Sequence, residues 1–205
     1  MSRVLVTGAS GFIGTALVPR LAAAGHVPRV MVRQAPAAPP APPVEVVQGD
    51  LAAPATLRAA VEGCDAVVHL GAATSAGRLD PALAYRVNVG GTTALIDACL
   101  ATGCRRVLVM STQHVHLPHC GLYGRTKRIA DALFEGSGLD VTVLRPSLVY
   151  GPGSRGVFVK LAQLVRKLPV IPVIGPGRWH LRPLLLGDLV TIILDTLAHP
   201  ELAGR

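Results

Sequence analysis

Six short apolar runs, rich in valine and alternating with helix-like stretches, set the strongest limit on what this chain can fold into. They are RVLVTG (3–8), RVMVR (29–33), VEVVQGDL (44–51), DAVVHLGAA (65–73), RRVLVMST (105–112) and VTVLRPSLVYG (141–151). The runs are near-continuously apolar rather than alternating, which suits strands buried on both faces. Between them, GFIGTALVPRLAAAG (11–25) reads as a helix stopped by Gly25, and Pro54 opens a helix running to about Glu62. A long helix from Pro81 to Ala101 is ended by Gly103, and another covers Tyr123 to Phe134. The remainder, 152–205, holds a helix near 156–168, the Pro/Gly-broken stretch VIPVIGPGRWHLRP and a final helix over 187–198. Alternating strands and helices imply an α/β fold, a doubly wound parallel sheet with helices on both faces. Ligands of such sheets bind at the carboxyl ends of the strands.

Two segments resist this pattern. Pro19 sits inside the first helix, where it should kink it. QAPAAPPAPP (34–43), with five prolines in ten residues, cannot form the crossover helix due there and is expected to be an extended surface loop.

Composition narrows the class. The chain has 205 residues, 50% hydrophobic and 16% charged, enough for a sizeable core and against global disorder. No apolar run approaches the roughly 18–20 residues that span a bilayer. MSRVLVTGASG at the N-terminus reads as a first strand rather than a signal peptide, so a cytoplasmic location is expected, with Cys64, Cys99, Cys104 and Cys120 as reduced thiols. The net charge of +8 raises nucleic-acid binding, but aromatics make up only 3% and the basic residues are scattered. Ten Lys and Arg from Arg125 to Arg182 face three acids, Asp131, Glu135 and Asp140, a skew that suits an anionic small molecule or simply a basic surface.

The glycines after the first run are placed for phosphate. In TGASGFIG, Gly8 permits the tight turn, Gly11 lets the backbone approach a pyrophosphate, and Gly14 permits close helix–strand packing. Ser10, Phe12 and Ile13 complete the loop and the first turn, whose free N–H groups and dipole favour phosphate. At the end of the second run stands Arg33, with no acid nearby, suited to a 2′-phosphate and so to NADP over NAD.

With GDL (49–51), VVHLGAA (67–73), NVGGT (88–92), ST (111–112), YGRTK (123–127) and LRPSLVYGPG (144–153), this glycine pattern resembles the short-chain dehydrogenase/reductase superfamily over nearly the whole chain. The resemblance is closest to its extended and atypical branches, which include nucleotide-sugar epimerases and dehydratases. It implies a Rossmann-type fold and NAD(P) binding. It also assigns roles: Asp50 near the adenine amino group with Leu51 beside the ring; Gly71, Ala72 and Ala73 along the middle of the cofactor; Asn88 propping the sheet edge and active site; Pro146, Ser147 and Val149 beside the nicotinamide carboxamide.

Tyr123 and Lys127 lie four apart, on one face of a helix. A tyrosine with an ordinary pKa near 10 is a poor base at neutral pH, and a neighbouring ammonium favours phenolate. By resemblance Thr112 orients the substrate oxygen, Ser111 precedes it near the cofactor, and Lys127 also holds the nicotinamide ribose. Hydride exchange with a secondary alcohol or ketone is the implied chemistry. Many extended members have some two dozen residues between the hydroxyl and the tyrosine; the interval from Thr112 to Tyr123 is short and points to an atypical subgroup.

His114, His116, His119 and Cys120 have ligand chemistry, but Pro118 breaks the run and no second pair completes four ligands, so no metal is expected. Asp188 fits a helix N-cap before Leu189, and Arg155, Arg178 and Arg182 are candidates to receive an anionic substrate. Residues 1–153 are expected to form the NAD(P)-binding domain and 154–205 a partial substrate-side segment completing it. The chain stops at Arg205 just after a helix, which reads as a fragment or a minimal substrate lobe. A homodimer through helices 81–101 and 123–134 is a further implication of the resemblance. Two rivals stay open: a non-catalytic NAD(P)H-binding sensor or assembly module, and a nucleic-acid binder.

Overall fold

A computed structural model describes residues 1–36, 43–74, 79–154, 157–168 and 182–202. The strands β1 (Arg3–Thr7), β2 (Val27–Val32), β3 (Glu45–Gln48), β4 (Ala66–His69), β5 (Arg106–Met110) and β6 (Asp140–Leu144) form one parallel sheet in the order β3-β2-β1-β4-β5-β6. That is the doubly wound order, and it reverses direction beside β1.

Side chains alternate between two cores. Leu5, Val67, Val107 and Val109 pack with the helices α2 (Leu57–Val61), α4 (Gly91–Thr102) and α5 (Gly121–Glu135), where Phe134 is fully buried. Val4, Val6, Val68, Leu108 and Met110 face α1 (Phe12–Ala23) and α7 (Leu186–Ala198). Because α7 supplies Leu189, Val190 and Ile193 to this second core, it belongs to the same hydrophobic unit as α1.

The strands are shorter than the apolar runs, for local reasons. The run through 141–151 breaks after Leu144: Pro146 has no N–H for the ladder. It resumes as β7 (Val149–Tyr150), which pairs in parallel with β8 (Leu184–Leu185) in a separate small sheet. Met110 ends β5, and Ser111 adds one bond beyond it, from its N–H to the Leu144 carbonyl at 2.8 Å.

Pro19 does not interrupt α1, which runs unbroken past it with the proline exposed to solvent. The helix ends as expected at Gly25, where φ is +83° and two crossed bonds, Gly25 N–H to Ala22 O and His26 N–H to Leu21 O, form a Schellman cap. The segment from Pro81 is α3 (Pro81–Tyr85), one π turn over Arg86–Gly90, and then α4. The extra residue of the π turn leaves Asn88 buried, at 3% exposure. Asp80 caps α3 with bonds from the Ala82 and Leu83 amides. Asp188 is not an N-cap: α7 starts at Leu186 behind Leu185, placing Asp188 in the first turn, where its charge still complements the helix dipole.

Of the proline-rich stretch, 37–42 lies outside the described residues, as do Arg155, Arg178 and most of VIPVIGPGRWHLRP. The helix expected near 156–168 is α6 (Val157–Lys167). Among the described residues no helix is long and apolar enough to cross a membrane. Cys64, Cys99, Cys104 and Cys120 are all buried free thiols.

Leu108 is fully buried in the central strand β5. Leu108→Ala is expected to cost about 2–5 kcal/mol. In urea titrations the midpoint should fall while the slope stays unchanged; an unaltered midpoint would contradict this packing.

Candidate active site

All strands of the main sheet are parallel, so the turns after β1, β2, β4, β5 and β6 open on one edge. The turn after β1 is held tight. Gly8 has φ +69°, and a side-chain carbon there would stand 2.8 Å from the Gly71 nitrogen. At Gly14 such a carbon would meet the Ala9 carbonyl oxygen at 2.5 Å, so α1 lies directly against the turn. Gly11 is the N-cap of α1, without a side-chain cap. Thr15 N–H donates to the Gly11 carbonyl at 3.0 Å, and the N–H groups of Phe12, Ile13 and Gly14 precede this first intrahelical donor. Ser10 is exposed beside them, while Phe12 and Ile13 lean on the α1 core.

Around this turn, Arg33 is exposed just past β2, with its carbonyl taking the Gln48 side-chain amide at 3.3 Å. Asp50 spends one carboxylate oxygen on the Ala52 N–H at 2.9 Å. Leu51 is buried, and its methyl group approaches Gly71 too closely for a side chain there. Gly71 donates its N–H to Thr7 Oγ1, at 3.1 Å, and Ala72 and Ala73 follow, half-buried. Asn88 clamps this segment. Its Oδ1 accepts from Ala73 N–H at 2.7 Å, and its Nδ2 donates to Ala73 O and to Thr126 Oγ1, both at 3.0 Å. The amide is thus committed to the protein, tying the loop after β4 to α5.

Beyond β5, Ser111 and Thr112 part company. Ser111 is buried and donates its hydroxyl to Asp131 Oδ2 at 2.8 Å, behind the open edge. Thr112 is half-buried, and its hydroxyl accepts from His114 N–H at 3.3 Å as the cap of a 3-10 turn over Gln113–His116. Gln113 N–H bonds the Pro146 carbonyl at 3.1 Å, joining this turn to the segment carrying Pro146, Ser147 and Val149, all half-buried. The short interval before Tyr123 is closed by Arg128, whose guanidinium donates to the Val115 and Leu117 carbonyls at 2.7 and 2.8 Å. Gly124 lies so close to this loop that a side chain would stand 2.5 Å from Cys120 Cβ. The three histidines of the loop are exposed, and no group of three His, Cys, Asp or Glu among the described residues is placed to hold a metal ion.

Tyr123 and Lys127 share a face of α5. Lys127 is only 2% exposed; burial lowers its pKa to about 8, with Asp131 pulling the other way. The Tyr123 phenol is pushed upward, first by burial and then by the Asp131 charge. The expectation that Lys127 lowers the tyrosine's pKa is therefore corrected: burial and the Asp131 charge raise it.

Four participants were missing from the sequence reading. Thr7 Oγ1 and His69 Nδ1 are hydrogen-bonded at 2.8 Å beneath the turn, with the His69 ring 5.7 Å from that of Phe134. Asp131 and Arg145 pair at 2.9 Å, and Arg145 reaches Glu135 at 2.6 Å. The available signals were the histidine inside an apolar run and the acid one turn after Lys127.

Burial, followed by the nearby Lys127 charge, lowers the His69 pKa to about 3. Unfolded, the ring takes up a proton near pH 6.5, so between about 6.5 and 3 the unfolded chain binds more protons. Stability is therefore lost as pH falls through that window, by about 1.4 kcal/mol per pH unit. Urea unfolding at pH 7, 6 and 5 should show a steeper decline in the wild type than in His69→Gln; equal slopes would refute the assignment.

The sequence profile of the NAD dependent epimerase/dehydratase family matches residues 4–204. Among curated proteins, the chain is 35% identical over 174 residues to the ceramide reductase of Caulobacter vibrioides, covering 84% of this chain and 54% of that protein. It is 34% identical over 188 residues to the 2-alkyl-3-oxoalkanoate reductase of Stenotrophomonas maltophilia, covering 80% and 56%. The chain thus spans about half the length of these curated relatives. A short-chain dehydrogenase/reductase superfamily protein from Agrobacterium tumefaciens, solved with bound NAD, superposes with a TM-score of 0.79 at 26% identity, over 98% of this chain and 75% of that one. With the doubly wound sheet and the glycine turn, these matches show that the chain belongs to the NAD dependent epimerase/dehydratase family.

Proposed function

We propose that this chain forms the NAD(P)-binding and catalytic part of an oxidoreductase acting on a secondary alcohol or ketone. The observation that carries the reading is the face of α5, which puts Tyr123 beside a buried lysine at the sheet edge where the glycine turn opens. The turn suits a dinucleotide: no side chain fills Gly8 or Gly14, and three amides stand at the start of α1. In this reading Gly8, Ser10, Gly11, Phe12, Ile13 and Gly14 hold the pyrophosphate. Asp50 and Leu51 border the adenine, Gly71, Ala72 and Ala73 line the middle, and Pro146, Ser147 and Val149 flank the nicotinamide. Asn88 and Ser111 contribute indirectly, through the loop and through Asp131.

When bound, the nicotinamide supplies or accepts the hydride. Tyr123, kept neutral by burial, is set to donate its proton to a developing alkoxide. Lys127, mostly charged below pH 8, stabilises the phenolate left behind and can reach the nicotinamide ribose. Thr112 orients the substrate oxygen. A protonated tyrosine suits carbonyl reduction, and the two curated relatives are named as reductases, which favours that direction over epimerisation. Their names also favour turnover over a sensing or assembly role.

The exposed Arg33 supports NADP over NAD. The basic second half of the chain, including exposed Arg182, supports an anionic substrate, and apolar Leu83, Leu100 and Ile129, exposed on α3, α4 and α5, support a homodimer.

Fluorescence titration with NADPH and NADH should show tighter NADPH binding, with the preference collapsing in Arg33→Ala. Absence of binding by either cofactor would overturn the reading. In a carbonyl-substrate screen, Tyr123→Phe should lower kcat by about 100-fold or more while still binding cofactor; unchanged turnover would remove Tyr123 from the chemistry.

A further inference from the structure

Asp131 is the only buried carboxylate among the described residues. It is 4% exposed and lies one helical turn beyond Lys127 on α5. Burying a carboxylate is costly unless it is paired and hydrogen-bonded. Here Oδ2 accepts from Ser111 Oγ at 2.8 Å and from Arg145 Nε at 2.9 Å. Oδ1 is buried with no hydrogen-bond partner among the described residues. Half of the carboxylate is therefore fixed from the ends of β5 and β6, and half remains uncommitted, one helical turn along α5 from a buried lysine.

Among the described residues the surroundings leave no other buried acid for that lysine. On α5 itself stand Tyr123, and Glu135, which is exposed and bound to Arg145. His69, from β4, is neutral at physiological pH. Ser111 and Arg145 come from the strand ends, and Asn88, on the π turn, is spent on Ala73 and Thr126. Tyr85 and Asp97, on the helices packed against α5, are exposed to solvent.

We propose that Asp131 is a positioning residue for the Tyr123–Lys127 pair: its carboxylate, held by Ser111 and Arg145, is the counter-charge that keeps the buried Lys127 side chain an ammonium at working pH. The proposal rests on the functional reading only for the use made of that ammonium. Arg145 pairs with the carboxylate directly and Lys127 lies one helical turn from it, so removing the arginine leaves more of the charge to act on the lysine. Ser111, adjacent to Thr112 in sequence, serves the charge behind the site while Thr112 serves its front. Removing the carboxylate exposes the lysine to the full cost of burial, and it loses its proton at lower pH.

The chain has three lysines, Lys127, Lys160 and Lys167, so selective labelling reads the charge directly. Protein carrying 13Cε-lysine is titrated by NMR, with the Lys127 signal identified by its loss in Lys127→Arg. In the wild type it should titrate near pH 8. In Asp131→Asn the midpoint should fall by about one pH unit or more, and Asp131→Glu should restore it. Arg145→Gln, which frees the carboxylate, should move it upward. A midpoint unmoved or raised in folded Asp131→Asn overturns the proposal. Should that variant fail to fold by circular dichroism, Arg145→Gln decides: an upward shift supports the proposal, and no shift or a downward one overturns it. The pH at which NADPH affinity fades in Asp131→Asn should follow the lysine midpoint. Because the lysine titration uses no cofactor, failure of NADPH to bind the wild type would defeat the functional reading while leaving this test intact.

Discussion

The backbone turn after β1 and the chain leaving β4 approach so closely that Gly8 has no room for a side chain, while Gly71 is crowded by Leu51 and Thr7. That contact organises the open edge of the sheet. Thr7, at the end of β1, bonds both His69 and the Gly71 amide, so the two strand ends are one hydrogen-bonded unit. Leu51 packs against Gly71 and Gly91, bringing the turn after β3 and the start of α4 to the same place. Asn88 then ties Ala73 to α5. The glycine turn and α5 are linked through this chain of contacts rather than by adjacency in sequence.

The site behind that edge is electrostatically unusual. A lysine and an aspartate are both nearly sealed from water, and neither would be tolerated alone. His69 adds no positive charge because burial keeps it neutral. The outcome is a neutral phenol above a cation whose ionisation is tuned close to physiological pH. Such perturbed groups are expected where a proton must be moved in a water-poor setting.

The fold was largely legible. Valine-rich runs report double-sided burial, and the glycines after the first run report a turn and a close approach, because these properties depend on local sequence and volume. Strand ends were less legible. The ladder stops where a neighbouring strand stops or where Pro146 lacks a donor, so β3, β4 and β6 are shorter than the apolar runs that contain them. Pro19 was expected to kink α1; the helix continues past it to Ala23, with the proline exposed to solvent. Asp188 looked like a cap from its place before Leu189; β8 leads straight into α7 and puts the helix start three residues earlier.

The sequence by itself determined the order of strands and helices, the glycine turn and the Tyr123–Lys127 spacing, since each is set by neighbours within a few residues. Only the tertiary structure decided what surrounds that pair. Ser111 turns away from Thr112 to Asp131, twenty residues on; Arg145 arrives from another strand; and Asn88 is spent on a loop and a helix far from it in sequence. The physical reason is that the ionisation of a buried group depends on distance through space and access to water, neither of which is written in local residue spacing.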